Sequence, residues 1–232
     1  MITIENFILI TILSPLFVCV LTPFTSKNTI LRDFLGPIGG MISSWGALNI
    51  MSSALNNQNT TLEIVKIAEG VSIGFEVTPI GAIFGLVASF LWIFAAIYSI
   101  GYMRGNKEKN QTRFYAFYAM AVHAALCIAY ASDLLTLFIF YEVLTFSTYP
   151  LVTHNQNEMA QKAGRLYMSI LVGSSVILLL PAIIWVWVTT GSLEMSQNGV
   201  LDGKLDVAYA PILLAMFVFG IGKAALMPIH KW

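Results

Sequence analysis

Apolar stretches long enough to cross a bilayer recur along the whole chain, separated by short polar segments. They cover about residues 7–24, 34–55, 79–102, 113–131, 133–153, 166–190 and 209–228. Each approaches or exceeds the ~20 residues that a helix needs to cross hydrocarbon. The second stretch, rich in Gly and Ser but free of charge, is the weakest signal of the seven. The pattern predicts an all-α integral membrane protein of about seven transmembrane helices. Between the second and third stretches lies a polar segment, Asn56 to Thr78. Its residues Val71 to Val77 alternate in polarity, which predicts a short strand or hairpin on the membrane surface. Before the seventh stretch, Gly191, Asn198-Gly199 and Asp202-Gly203 signal turns. No extramembrane segment is long enough for a soluble domain. Residues 1–232 therefore read as a single membrane domain, with three N-terminal helices over 1–102 and a second group over 113–232.

Composition agrees with this class. Apolar residues make up 57% of the 232 and charged residues 10%, against roughly 45–50% and 25% in soluble domains. The net charge is zero, so nothing points to a nucleic-acid partner, and the lipid bilayer is the expected surrounding. Cys19 and Cys127 lie in separate apolar runs without ligand spacing, which excludes a disulfide framework and a cysteine metal site. The N-terminus lacks a basic leader region and carries Glu5, so it reads as mature sequence.

Orientation follows from the basic residues. Loops after odd-numbered spans hold eight of them: Lys27, Arg32, Arg104, Lys107, Lys109, Arg113, Lys162 and Arg165. Loops after even-numbered spans hold two, Lys66 and Lys204. The excess of positive charge on cytoplasmic loops then places the N-terminus outside.

Ionisable groups inside a span are costly and mark function by default. Glu142, in LFIFYEVLTFSTYP, lies nine residues from Asp133 at the start of its span. At the helical rise it is ~13 Å deep, near the midplane. Thr145 and Tyr149 share its face. It serves either proton transfer or a structural hydrogen bond between helices. Lys223, in FGIGKAALMPIHKW, stands among helix-breaking residues. Pro228 offers no N–H to the Ala224 carbonyl, and Gly220 and Gly222 permit close approach or unwinding. A seventh helix broken near Lys223–Pro228 is expected, as in transporters that build ion sites from interrupted helices. Burial favours the neutral amine, which suits proton release; the alternative is a lysine snorkelling to the interface. His123 reads equally as a proton relay or as a structural histidine donating to a backbone carbonyl. His230, just past Pro228, is a further possible relay. Pro150 and Pro181 free carbonyls within their spans and predict kinks.

Taken together, TPIGAIFGLVASFLWIFAAIYSIGYM, DLLTLFIFYEVLTFSTYPLVTH and GIGKAALMPIHKW resemble the antiporter-like membrane subunits shared by multisubunit cation/proton antiporters and respiratory complex I. The resemblance covers roughly residues 71–232 and is greatest to the D-type subunits of multisubunit sodium/proton antiporters. It implies that Glu142 and Lys223 form a switchable ion pair driving protons through a half-channel. It also implies protons and Na+ as cargo, other antiporter subunits as partners, and a bacterial inner membrane as location. Family members have about fourteen spans in two inverted bundles that begin at the fourth and ninth helices. This chain stops at Trp232, so it is expected to lack the second bundle. Two alternatives stand beside antiport. One is a proton-pumping subunit of a complex I-like oxidoreductase or membrane-bound hydrogenase. The other is an inactive fragment or assembly subunit. The chain has no Gly-rich nucleotide fingerprint and no cysteine cluster, so no cofactor is expected and any redox chemistry belongs to partners.

Overall fold

A computed structural model describes residues 3–56, 60–195 and 199–232. The chain forms two compact units, one of residues 1–62 with 75–131 and the other of residues 63–74 with 132–232.

The first unit holds four helices: α1 (Ile4–Phe24), α2 (Thr29–Leu55), α3 (Pro79–Gly105) and α4 (Gln111–Ala129). Their starts are set by local chemistry. Asn28 accepts a hydrogen bond from the Leu31 amide and caps α2. Thr78 does the same for Gly81, with Pro79 at the first turn of α3. The Gly and Ser content that weakens the second apolar stretch forms an interface. Gly39 packs beneath Val18 of α1 and Trp92 of α3, and Gly40 lies against Ile93. Small residues let helices approach closely where lipid supplies no hydrophobic drive between them. Hydroxyls then join the backbones: Ser14 donates to the Gly39 carbonyl at 2.7 Å. Ser43 donates at 2.8 Å to the Thr11 carbonyl, the group left without its helical donor by Pro15. At 27 residues, α2 is long enough to span despite its modest hydropathy. Large apolar side chains such as Phe84, Phe90 and Leu91 point outward, as a lipid-facing surface requires.

Packing groups α4 with the three N-terminal helices, whereas the sequence pattern sets it at the head of the later group. Its His123 is bonded to α1, and Ala119 joins Val18, Trp92 and Ala96 in one apolar cluster.

In the second unit, α5 (Leu134–Val152), α6 (Glu158–Thr190) and α7 (Ala210–Gly220) follow one another. Buried Asp133 caps α5, accepting from the Thr136 amide at 2.8 Å and the Thr136 hydroxyl at 2.7 Å. The expected strand is present as half of a hairpin, β1 (Thr61–Ala68) with β2 (Val71–Glu76). Gly70 turns the hairpin at φ 72°. The Gly74 amide donates to Thr136 and its carbonyl accepts from the Ser132 amide, so the hairpin is tied to the head of α5.

The helix α6 is continuous over 33 residues but widens to a π-helical turn at Ser175–Leu179, just ahead of Pro181. There the Leu180 amide donates to the Ser175 carbonyl, five residues back. A π turn thus stands next to the proline at which the sequence predicts a kink, a form of helix irregularity frequent at functional sites. Gly191 ends α6 at φ 75°, and Gly199 and Gly203 also have positive φ. Asn198 of the expected turn lies outside the described residues.

The seventh helix is broken at Lys223, as expected, and the regular helix already ends at Gly220. Regular α-helix stops at Gly220, a 3-10 turn follows at Gly222–Ala224, and Ala225 has φ 51°. At the break the chain lies close against the π turn of α6. A β-carbon on Gly220 would stand 2.6 Å from the Leu179 nitrogen, and one on Gly222 would collide with Ser174. Five of the seven segments are helices long and apolar enough to cross a membrane. With α2 and the broken seventh segment, the chain is a multi-pass membrane protein of about seven spans.

Candidate functional site

The break in α7 delivers Lys223 to the middle of α5. The Lys223 amine donates hydrogen bonds of 2.6 Å to the Tyr141 carbonyl and 2.6 Å to the Thr145 hydroxyl. It also lies 3.4 Å from the centre of the Tyr141 ring, a cation–π contact. The Lys223 backbone N–H, freed by the loss of helix, donates to the Tyr141 hydroxyl at 3.1 Å. Thr145 in turn donates to the Tyr141 carbonyl at 3.0 Å. Tyr141 and Thr145 are both buried.

Between these two residues on α5 stands Glu142. Both of its carboxylate oxygens are buried, and no described residue donates a hydrogen bond to either. The structure therefore brings Lys223 onto the helix that carries Glu142, yet aims the amine at Tyr141 and Thr145. The site thus holds a buried acid without hydrogen-bond donors among the described residues and a lysine docked on neutral acceptors of the same helix.

Polar groups continue one turn along. Thr148 shares a 2.6 Å hydrogen bond with Tyr167 of α6, and the Tyr167 and Trp232 rings pack T-shaped with their centres 5.5 Å apart. Trp232 donates to the Gly222 carbonyl at 3.0 Å, so the segment after the break folds back and caps it.

The other two candidates lie elsewhere. His123 belongs to the first unit, buried on α4, with Nδ1 2.6 Å from the Ile12 carbonyl. Since a carbonyl only accepts, that nitrogen carries the proton, the geometry of the structural reading. Cys127 is one turn away, 3.7 Å from the same ring. His230 is exposed in the non-helical stretch after Pro228.

A second group of ionisable residues escapes the sequence pattern. Arg32 and Asp33, at the head of α2, are buried and bonded to each other at 2.9 Å. Arg104 at the end of α3 donates to the other Asp33 oxygen at 2.7 Å, and Arg32 reaches Gln111 and Thr112 of α4. Both arginines read from sequence as loop charges; the adjacent Arg–Asp pair was the available signal.

Comparison with known proteins places these features in a family. Residues 131–232 match the family model described as "NADH:quinone oxidoreductase/Mrp antiporter, TM". Residues 67–115 match "NADH-Ubiquinone oxidoreductase (complex I), chain 5 N-terminus". The putative antiporter subunit mnhD2 of Staphylococcus haemolyticus is 26% identical over 231 residues, covering 98% of this chain and 45% of that protein. Subunit N of the NADH-quinone oxidoreductase of Desulforudis audaxviator is 30% identical over 154 residues, 66% of this chain and 30% of the relative. Hydrogenase-4 component B of Escherichia coli is 27% identical over 71% of this chain and 24% of the relative. The chain thus spans less than half the length of these relatives. Among solved structures, a chain of the Mrp complex from Dietzia sp. DQ12-45-1b superposes with a TM-score of 0.80 at 21% identity, covering all of this chain and 43% of that one. A chain of an archaeal membrane-bound sulfane sulfur reductase gives 0.80 at 19% identity, over 98% and 46%. With both family models, the curated relatives and the fold in agreement, this chain is homologous to the antiporter-like membrane subunits of Mrp antiporters and NADH:quinone oxidoreductases, and corresponds to the N-terminal half of such a subunit.

Proposed function

We propose that the chain moves protons across the membrane in exchange for monovalent cations, Na+ foremost, as one subunit of a multisubunit antiporter. The observation that carries this reading is the juxtaposition of a donor-free buried Glu142 with a Lys223 amine docked beside it on the same helix. The match to the antiporter subunit mnhD2 over nearly the whole chain supports antiport over other uses of the bundle.

Two charge arrangements follow from the geometry. With the amine turned to Glu142, each charge holds the other ionised. With the amine withdrawn onto Tyr141 and Thr145, the carboxylate loses its counter-ion. The lysine then depends on neutral acceptors and gives its proton up more readily. Alternation between the two moves a proton per cycle. Driving one charge against 100 mV takes about 2.3 kcal/mol, comparable with the roughly 3–5 kcal/mol at stake when a buried charge gains or loses its partner. Partner subunits would provide the cation path.

The same residues serve the second reading, a proton-pumping subunit of a quinone oxidoreductase or hydrogenase complex, which the subunit N and hydrogenase relatives favour. Purification of the native complex separates the two: small antiporter subunits accompany the chain in one case, iron–sulfur proteins in the other. The test of transport itself is Glu142→Gln in the assembled complex. Everted vesicles carrying the variant should hold a pH gradient that Na+ no longer dissipates, at wild-type levels of assembled protein. Undiminished dissipation would refute the role of Glu142, and would leave a purely structural or assembly subunit as the better account.

A further inference from the structure

Lys223 is held at both ends by one residue. The Tyr141 hydroxyl takes its backbone N–H at 3.1 Å, while the Tyr141 carbonyl and ring face take its amine. Thr145, fully buried, adds a second acceptor at 2.6 Å and is itself oriented by its bond to the Tyr141 carbonyl. A helical carbonyl already engaged in α5 rarely attracts an ammonium unless the chain is placed to present one. Here the chain is so placed, because the peptide of Lys223 left its helix at Gly220 and found the Tyr141 hydroxyl instead.

We propose that Tyr141 and Thr145 are positioning residues that form a parking site for the Lys223 ammonium, holding it off Glu142 in one half of the transport cycle. The proposal rests on the reading of Glu142 and Lys223 as proton-transfer groups. In this site the tyrosine fixes where the lysine backbone emerges, and the threonine hydroxyl completes the solvation of the amine. Hydrogen bonds to the charged form favour it, so the parking site sets the pH at which the amine lets its proton go. The titratable groups about the amine are Glu142 and Tyr141 on α5, with Tyr167 of α6 bonded one turn away to Thr148.

The experiment compares Thr145→Val, Thr145→Ser and Tyr141→Phe with Glu142→Gln in the assembled complex, measuring cation-driven proton exchange in everted vesicles from acid to alkaline pH. Thr145→Val keeps the shape and deletes one acceptor of a charged donor. It should lower the exchange rate about tenfold and move the rate–pH profile about one unit to the acid side. The sign follows because losing an acceptor of the ammonium lets the proton leave at lower pH. Thr145→Ser restores the hydroxyl and should restore both readouts. Tyr141→Phe loses the anchor of the Lys223 backbone and should lower the rate with the ring face retained. A structural role alone would reduce the amount of assembled protein and leave the profile in place. If Thr145→Val and Thr145→Ser both match wild type in rate and profile while Glu142→Gln is inactive, the parking site is overturned and the transport reading survives. If Glu142→Gln is fully active, the transport reading falls, and the parking site with it.

Discussion

The Lys223 amine lies 2.6 Å from the Thr145 hydroxyl, three residues past Glu142 on the same helix, and not on the carboxylate itself. In the proposed cycle this arrangement is the one with the amine withdrawn from the carboxylate. The helix ends at Gly220 and leaves Lys223 in a 3-10 turn, which is what carries its amine to Tyr141 and Thr145.

The approach of α7 to the π turn of α6 should be intolerant of bulk. Gly220→Ala adds a β-carbon that faces Leu179 backbone atoms at 2.6–2.8 Å, which rigid backbone cannot accommodate. Overpacking of this kind costs about 1–3 kcal/mol. A lowered thermal midpoint of the detergent-solubilised complex, with loss of cation-driven proton exchange, is the expected result. A variant with wild-type midpoint and transport would show that α7 does not depend on this contact.

Asp33 joins two arginines from different helices and is buried. Asp33→Asn leaves Arg32 buried without its counter-charge, a loss of about 3 kcal/mol for a buried pair; half-exposed Arg104 adds little. The complex should melt at lower temperature, while transport per assembled molecule stays within about twofold, since these residues belong to the first unit. Fluorescence-detected melting checks the first outcome and vesicle assays the second; an unchanged midpoint would count against a structural role for the cluster.

Topology is open to direct labelling. With basic residues distributed eight to two, a cysteine placed at Asn106, the C-cap of α3, should react with a membrane-impermeant maleimide in everted vesicles and not in intact cells. Reaction from outside intact cells would invert the orientation.

Much of this was legible in the order of residues, and the exceptions have physical causes. Spans one and three to six follow the apolar pattern within a few residues except at the start of α6, where Glu158, Lys162 and Arg165 occupy the first turns of a helix whose apolar part begins later. The Gly220, Gly222, Lys223 and Pro228 run announces the break, but Gly220 meeting Leu179 is a contact between segments distant in sequence that periodicity does not encode. Thr145 lies on the predicted polar stripe of Glu142. Tyr141 does not, since adjacent residues point about 100° apart on a helix; its part depends on where Lys223 arrives. Asp33 was hidden for a similar reason, because its partner Arg104 is 71 residues away. For His123 the sequence leaves two readings open, and the bond to Ile12 favours the structural one.

The most direct measurement compares Lys223→Arg with Lys223→Ala in the assembled complex, using cation-driven proton exchange in everted vesicles. Arginine keeps the positive charge and snorkels as well as lysine, but does not release its proton at physiological pH. If Lys223 transfers protons beside Glu142, both variants assemble and both lose exchange, by about 100-fold or more, the range for a proton-transfer group. Full exchange with arginine at this position would show that only the charge matters, and the account of Lys223 as a proton-transfer group would be wrong.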